Sequence, residues 1–257
     1  MSEEKFAQEF LGEFISNKGT LINSSFLEKI RPIEPIYKHN DLEIFKEISG
    51  KRLGIAVDVG SGVGQDFSVI QVFDLDTLVQ VAQYRNNKLT LSEFTIELLA
   101  VLTYLKKEKE AKEIYYTVES NSISQGVLTL LENSKNPILR DQTIEFISDS
   151  KKRDGMLTTS KTKYRGAVKF KDLLESGRMT VYSKKVLSEL RFFVKTGVGF
   201  AAESGMKDDL VMAIIVLTNM LSVIADYDPA VYEKISKTGG LEIELEDEEE
   251  MPLPFIC

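Results

Sequence analysis

The sequence predicts an α/β architecture, one mixed sheet of about five strands flanked by helices. Three observations predict it. Three apolar, β-branched runs follow one another through short turns between residues 53 and 84. Two further runs then alternate with segments of helical period. Residues 208–225 form one nearly continuous apolar stretch of helical length. Short β-branched and aromatic runs bounded by turn residues read as strands, and their alternation with helical patterns reads as crossover connections.

The elements follow in order. Residues 1–22 read as a short helix ending near Asn17-Lys-Gly19, and residues 23–50, with Pro32 and Pro35, show no clear period. Leu53-Gly-Ile-Ala-Val-Asp58 is the first strand, and Gly60-Ser-Gly-Val-Gly64 a tight turn. Residues 67–73 and 77–84 are two more strands, joined by Asp74-Leu-Asp76 as a hairpin. Thr90-Leu-Ser-Glu93 matches a capping box, and the helix it opens runs to about Lys109 with Phe94, Leu98, Val101, Leu102 and Leu105 on one face. Ile114-Tyr-Tyr-Thr-Val-Glu119 is the fourth strand, residues 122–132 a helix, and residues 143–147 a short fifth strand. Ser160 is placed as the cap of a helix that ends at Gly177, residues 179–182 as an extended piece, and residues 186–195 as a helix. Asp208 opens the last large helix. Three meandering strands followed by crossovers fit an RNase H-like sheet, which sets the ends of the first and fourth strands side by side.

The chain has 257 residues and a formal net charge of -8. That charge is concentrated at one end. Residues 241–257 hold seven acids and no Lys or Arg, and the rest of the chain carries 32 basic against 33 acidic residues. Residues 236–257 are therefore expected to form an acidic tail without fixed structure, since so few aromatics cannot offset ordering entropy. Residues 151–171 carry eight basic residues and one acid, the makeup of a phosphate-contacting surface or of a plain solvated face. The single cysteine is Cys257, so no disulfide forms within the chain and a reducing compartment is the simplest reading. The start of the chain lacks the basic and apolar regions of a signal peptide, and no membrane partner is expected.

Three acidic positions stand where a metal-dependent nuclease needs them. Asp58 and Glu119 end apolar strands, and Asp208 and Asp209 open the apolar helix. In open α/β sheets ligands bind outside the strand ends. Carboxylates gathered there suit Mg²⁺ or Mn²⁺ and two-metal phosphodiester chemistry. Asp66 returns toward Asp58 at the start of the next strand. Each acid alone has a plainer reading, as a solvated turn residue, a surface Glu or a helix cap. The only histidine, His39, reads as a surface residue.

Taken together the segments are more specific. Val57-Asp-Val-Gly-Ser-Gly-Val-Gly-Gln-Asp66, Glu119-Ser-Asn-Ser-Ile-Ser-Gln-Gly126 and Lys207-Asp-Asp-Leu-Val-Met212 resemble, in order and spacing, the nuclease domain of tailed-phage terminase large subunits. Thr158-Thr-Ser-Lys161, Lys171-Asp-Leu-Leu-Glu-Ser-Gly177 and Phe200-Ala-Ala-Glu-Ser-Gly205 resemble it too. Gln8-Glu-Phe-Leu-Gly-Glu-Phe14 looks like the end of the ATPase domain of those motors. The resemblance covers about residues 6–225 and implies metal-dependent cutting of double-stranded viral DNA concatemers during packaging, in the cytoplasm of the infected bacterial host.

It further implies that Asp58, Glu119 and Asp209 are the catalytic ligands of two Mg²⁺ or Mn²⁺ ions, with Asp208 and Asp66 supporting. Lys161, Lys163, Arg165 and Lys169 would hold the DNA backbone, so cutting would show little sequence specificity. The implied partners are double-stranded DNA, the motor's own ATPase domain, the viral portal and the small terminase subunit. The implied organisation is a connector or ATPase-domain remnant over 1–50, a nuclease domain over 51–235 and a tail over 236–257. The sequence departs from the family in two ways. No Gly-x-x-x-x-Gly-Lys-[Ser/Thr] occurs, so no ATPase site is expected and the chain looks like a C-terminal nuclease fragment. Lys207 precedes the Asp pair where several relatives carry His. The rival readings are another RNase H-like nuclease such as a Holliday-junction resolvase, a DNA- or portal-binding module that does not cut, and an actin-type ATPase, whose second phosphate loop is missing from the sequence.

Overall fold

The computed structural model describes residues 19–61, 63–64, 66–150, 154–197 and 199–236. Most of the expected N-terminal helix, the basic residues Lys151, Lys152 and Arg153, and the acidic tail lie outside the described residues.

The strands are β1 (Tyr37–His39), β2 (Leu42–Ile44), β3 (Arg52–Asp58), β4 (Ser68–Asp74), β5 (Val79–Asn86), β6 (Glu113–Ser120), β7 (Ile144–Phe146), β8 (Met156–Leu157), β9 (Phe193–Thr196) and β10 (Gly199–Ala202). The α-helices are α1 (Ser24–Leu27), α2 (Leu91–Thr103), α3 (Gln125–Glu132), α4 (Ser160–Glu175), α5 (Lys184–Arg191), α6 (Asp209–Ala225) and α7 (Pro229–Ser236). The main sheet has the order β1-β2-β5-β4-β3-β6-β7, with β8 also paired to β6. It is mixed: β3 runs antiparallel to β4 and parallel to β6. The five expected strands are contiguous as β5-β4-β3-β6-β7, with β7 at one edge, and three short ones, β1, β2 and β8, extend the sheet beyond the expected count.

Parity along the strands divides the core in two. Leu53, Ile55 and Val57 of β3, with Ile114, Tyr116 and Val118 of β6, pack with Phe94, Leu98 and Leu102 of α2. Ala56 of β3 and Val69 and Phe73 of β4 pack instead with Leu210, Ile214 and Leu217 of α6. Side chains alternate between faces along a strand. Asp58 and Glu119 therefore share the face of Ala56 and Thr117, the one that α6 covers.

Local signals account for most element boundaries. The capping box opens α2 as expected: the Thr90 hydroxyl accepts from Glu93 N at 3.3 Å and Glu93 accepts from Thr90 N at 2.8 Å. The helix then widens into a π turn over Tyr104–Glu108. The cap of α4 is Thr159 rather than Ser160, because Thr159 is extended and Thr162 closes the box from the third helical position. Gly166 lets α4 lie directly on α6, since a Cβ there would stand 2.8 Å from Ile215 Cγ2 and 2.9 Å from the Ile215 carbonyl oxygen.

Two regions differ from expectation. Residues 23–50 add to both cores, with Leu27 on one side and Leu42, Ile44 and Ile48 on the other. β2 pairs antiparallel with β5 there, so this stretch is an integral edge of the sheet. The expected helix over 186–195 stops at Arg191, and Phe193–Thr196 turns back on Gly199–Ala202 as a separate two-stranded hairpin. Burial of Phe193 and Val194 draws the chain out of helix at that point.

Candidate active site

The register of the parallel pair sets the two strand-end acids beside each other. Val57 faces Val118, so Asp58 and Glu119 follow on neighbouring strands at one sheet edge. The Asp58 carboxyl lies within hydrogen-bonding reach of Glu119. Burial raises its pKa well above the ordinary carboxylate range, and the charges of Glu119, Asp209 and Asp208 push it the same way. Glu119 is buried and accepts from Asn121 Nδ2 at 2.7 Å. Asn121 in turn accepts from Ile123 N and Ser124 N at 2.9 Å, so the turn after β6 fixes that donor.

The third group arrives on α6. Asp209 is buried in the first turn, with the backbone N–H of Phe67 facing its carboxylate. Burial, with Asp66 and Asp208 nearby, raises its pKa to about 6. Its Oδ2 is buried without a hydrogen-bond partner. A buried unpaired carboxylate oxygen is costly and calls for an explanation such as a bound ion. Asp208 precedes the helix without capping it; its Oδ2 accepts from Ala202 N at 3.2 Å and lies 3.7 Å from Lys163 Nζ. Among the described residues no three His, Cys, Asp or Glu side chains stand as a ready-made metal shell. The donor chemistry nevertheless fits a divalent cation: hard oxygens, mutual repulsion, and one buried oxygen with nothing to satisfy it.

The supporting positions divide. Asp66 sits at the rim, held by Ser61 Oγ at 2.9 Å and by an ion pair with Lys207, which holds its pKa below the ordinary value. Lys207 thus neutralises an acid beside the site. On α4, Lys161 and Arg165 are exposed, while Lys163 reaches toward Asp208 and lies over the Phe193 ring. Lys169 is turned elsewhere, donating to Ser222 Oγ at 3.0 Å. His39 stacks on Tyr104 at a centroid distance of 3.8 Å, on a strand four places from β3.

Burial, aided by Arg165 and Arg178, lowers the Lys169 pKa from 10.5 to about 8. Below about 8 the folded protein holds this ammonium partly out of water at a cost; between about 8 and 10.5 the folded state sheds the proton first and stability rises with pH. Lys169→Met is therefore expected to raise Tm by a few degrees at pH 7, with the gain shrinking between pH 8 and 10.5. A gain independent of pH in thermal melts would place the ammonium in water.

Gly60 sets the loop between β3 and β4. A Cβ there would stand 2.4 Å from the Asp66 carbonyl oxygen and 2.8 Å from the Asp66 and Phe67 carbonyl carbons, all backbone atoms that cannot turn aside. Gly60→Ala is expected to cost about 1–3 kcal/mol, the usual range for forced backbone shifts. It should also weaken metal binding by displacing Phe67, whose N–H faces Asp209. Parental values in both melting and Mn²⁺ titration would show that the loop yields freely.

Sequence reasoning missed Glu189 and Arg85. Glu189 lies on α5 and accepts from Leu210 N at 2.8 Å and Val211 N at 3.1 Å at the start of α6. Its other oxygen is 3.5 Å from Arg85, whose guanidinium lies 3.5 Å over the Phe67 ring. A Glu among charged residues on a short amphipathic helix carries no local sign of such a role.

Solved structures share the fold. The large terminase nuclease from thermophilic phage G20c with bound magnesium matches with a TM-score of 0.59 at 21% identity, over 79% of this chain and 98% of that one. The same nuclease with bound cobalt matches with a TM-score of 0.57 at 20% identity, over 79% and 98%. The Thermus phage P74-26 large terminase nuclease domain matches with a TM-score of 0.54 at 23% identity, over 76% and 94%. The model of one family, the terminase RNaseH-like domain, matches residues 55–221, a span that begins within β3 and ends within α6 and so takes in Asp58, Glu119 and Asp209; the chain belongs to that family.

Proposed function

We propose that this chain is a metal-dependent endonuclease that cuts double-stranded viral DNA concatemers during genome packaging. The observation that carries the reading is the convergence of Asp58, Glu119 and Asp209 at one sheet edge, with a buried carboxylate oxygen left unpaired. Nuclease structures of the same fold with magnesium and cobalt bound support it.

Asp58, Glu119 and Asp209 would hold two Mg²⁺ or Mn²⁺ ions, with Asp208 behind them. Ions bound there would lower the pKa of an attacking water and stabilise the leaving 3′ oxygen. The protein's own part is to position and to neutralise. Phe67 N–H and Asn121 fix the carboxylates, and Lys207 offsets Asp66 at the rim. Lys161, Lys163 and Arg165 on α4 would hold the DNA backbone beside the site. Lys169, directed at Ser222, is set apart from them. Contacts of this kind carry no sequence information, so cutting has little specificity.

Residues 51–235 form the nuclease domain in this reading. Residues 23–50, read from the sequence as connector, join that domain through the pairing of β2 with β5; residues 1–22 continue from a preceding ATPase domain, and 236–257 are the acidic tail. The partners are the ATPase domain of the same motor, the portal and the small terminase subunit, in the cytoplasm of the infected bacterium. No helix among the described residues is long and apolar enough to cross a membrane.

A supercoiled-plasmid assay with Mg²⁺, Mn²⁺ and chelator tests the reading. Nicking and linearisation that need metal and stop with chelator are expected. Metal-dependent DNA binding with no cutting would favour the binding module. Preference for a four-way junction over linear duplex would favour the resolvase.

A further inference from the structure

We propose that Glu189 is a positioning residue that aims Asp209 into the metal site by capping α6 from a neighbouring helix. The proposal rests on the reading of Asp209 as a metal ligand. Its ground is geometric. A helix leaves its first N–H groups without intrahelical partners, and a residue just before the helix normally satisfies them. Here that residue, Asp208, makes no capping bond. Its carboxylate instead accepts from Ala202 N and faces Lys163. The vacant role falls to Glu189, from α5, twenty-one residues earlier than Leu210. One oxygen of this buried carboxylate takes two consecutive N–H donors, Leu210 and Val211, the two residues that follow Asp209.

The second Glu189 oxygen is buried 3.5 Å from Arg85 without a hydrogen bond, and the Arg85 guanidinium carbon lies 3.5 Å from the centre of the Phe67 ring. Phe67 closes the loop, because its backbone N–H faces the Asp209 carboxylate. The first turn of α6 is thus clamped from two sides, by α5 through Glu189 and by the start of β4 through Phe67, with Arg85 joining the two clamps. Freeing Asp208 from the cap also leaves it turned toward Lys163, on the helix proposed to hold DNA. Residues that orient a metal's ligands change metal affinity by roughly 10–100-fold when removed.

The test is Mn²⁺ affinity of the full chain without DNA, by calorimetry and by electron paramagnetic resonance, with far-UV circular dichroism and melting to confirm folding. Glu189→Ala is expected to weaken Mn²⁺ binding by roughly 10–100-fold while the variant remains folded. Glu189→Gln keeps a carbonyl oxygen for the two N–H donors and is expected to retain affinity within about threefold of the parent, less than any outer-shell loss. Asp209→Asn is the control that should abolish binding at that ion. Parental affinity for Glu189→Ala overturns the proposal. If that variant does not fold, Glu189→Asp, one methylene too short to reach both donors, takes its place under the same criterion. Equal losses in Glu189→Gln and Glu189→Ala overturn it as well, since charge and not the cap would then matter. Parental affinity in Asp209→Asn would instead fail the ligand reading on which the proposal rests.

Discussion

Asp58→Asn and Asp209→Asn are each expected to reduce plasmid cleavage by at least roughly 10²–10³-fold, the scale on which one preorganised electrostatic group acts. The two act for different reasons. Asp58 stands against Glu119 on the adjacent parallel strand, so its loss removes a donor that both ions could share. Asp209 supplies a buried oxygen that has no hydrogen-bond partner in the protein. Neither change should unfold the chain. Asparagine is nearly isosteric and removes one charge from a cluster whose members repel one another when no metal is bound. Melting in chelator is therefore expected to show equal or higher Tm for both variants, and the gain should vanish when saturating Mg²⁺ stabilises only the parent. Parental cleavage in either variant would mean that the chemistry lies elsewhere. Lost cleavage together with a lower Tm in chelator would point to a folding role.

The second large effect concerns α4. Replacing Lys161, Lys163 and Arg165 together with Ala is expected to weaken duplex DNA binding by roughly 10–100-fold at low salt, evenly across sequences, and to flatten the slope of log K against log salt by up to about 3. Two of these side chains are exposed on the helix, and the third points toward Asp208 beside the candidate site. The same helix is anchored on α6 through Gly166, so the proposed backbone contacts and the proposed ligand Asp209 sit on two elements in direct contact. An unchanged salt slope in fluorescence anisotropy would make the stripe a solvated face. A change confined to particular sequences would mean that α4 reads bases.

Much of this site was legible before the fold. Asp58 and Glu119 each end an apolar run, and parity along a strand then fixes which face each carboxylate takes. The nearly continuous apolar stretch after Asp209 marks a helix buried on almost every side, and such a helix holds its first residue still. Capping patterns placed the start of α2 on the correct residue and that of α4 within one. These signals are local, carried by residue type at spacings of two, three or four.

Other features depended on partners far away in the chain. Tyr37–Ile44 carries mixed polarity because β1 lies at the sheet edge, and only pairing of β2 with β5, about forty residues on, makes it strand. Phe193–Thr196 continued a helical pattern until burial of Phe193 turned it into a hairpin. Lys169 looked like its neighbours on a basic helix, yet packing of α4 on α6 put Ser222 in its reach. Asp66 read as a supporting acid, and its pairing with Lys207 could not be seen in the sequence. Glu189 gave no sign at all. The sequence by itself therefore determined the strands, the apolar helix and the acids at their ends, since backbone geometry converts short spacings directly into faces and caps. Only the tertiary structure decided which charges are paired, which are desolvated and which helix caps another. Those outcomes depend on the distance between groups tens of residues apart, and that distance is set by how the layers pack.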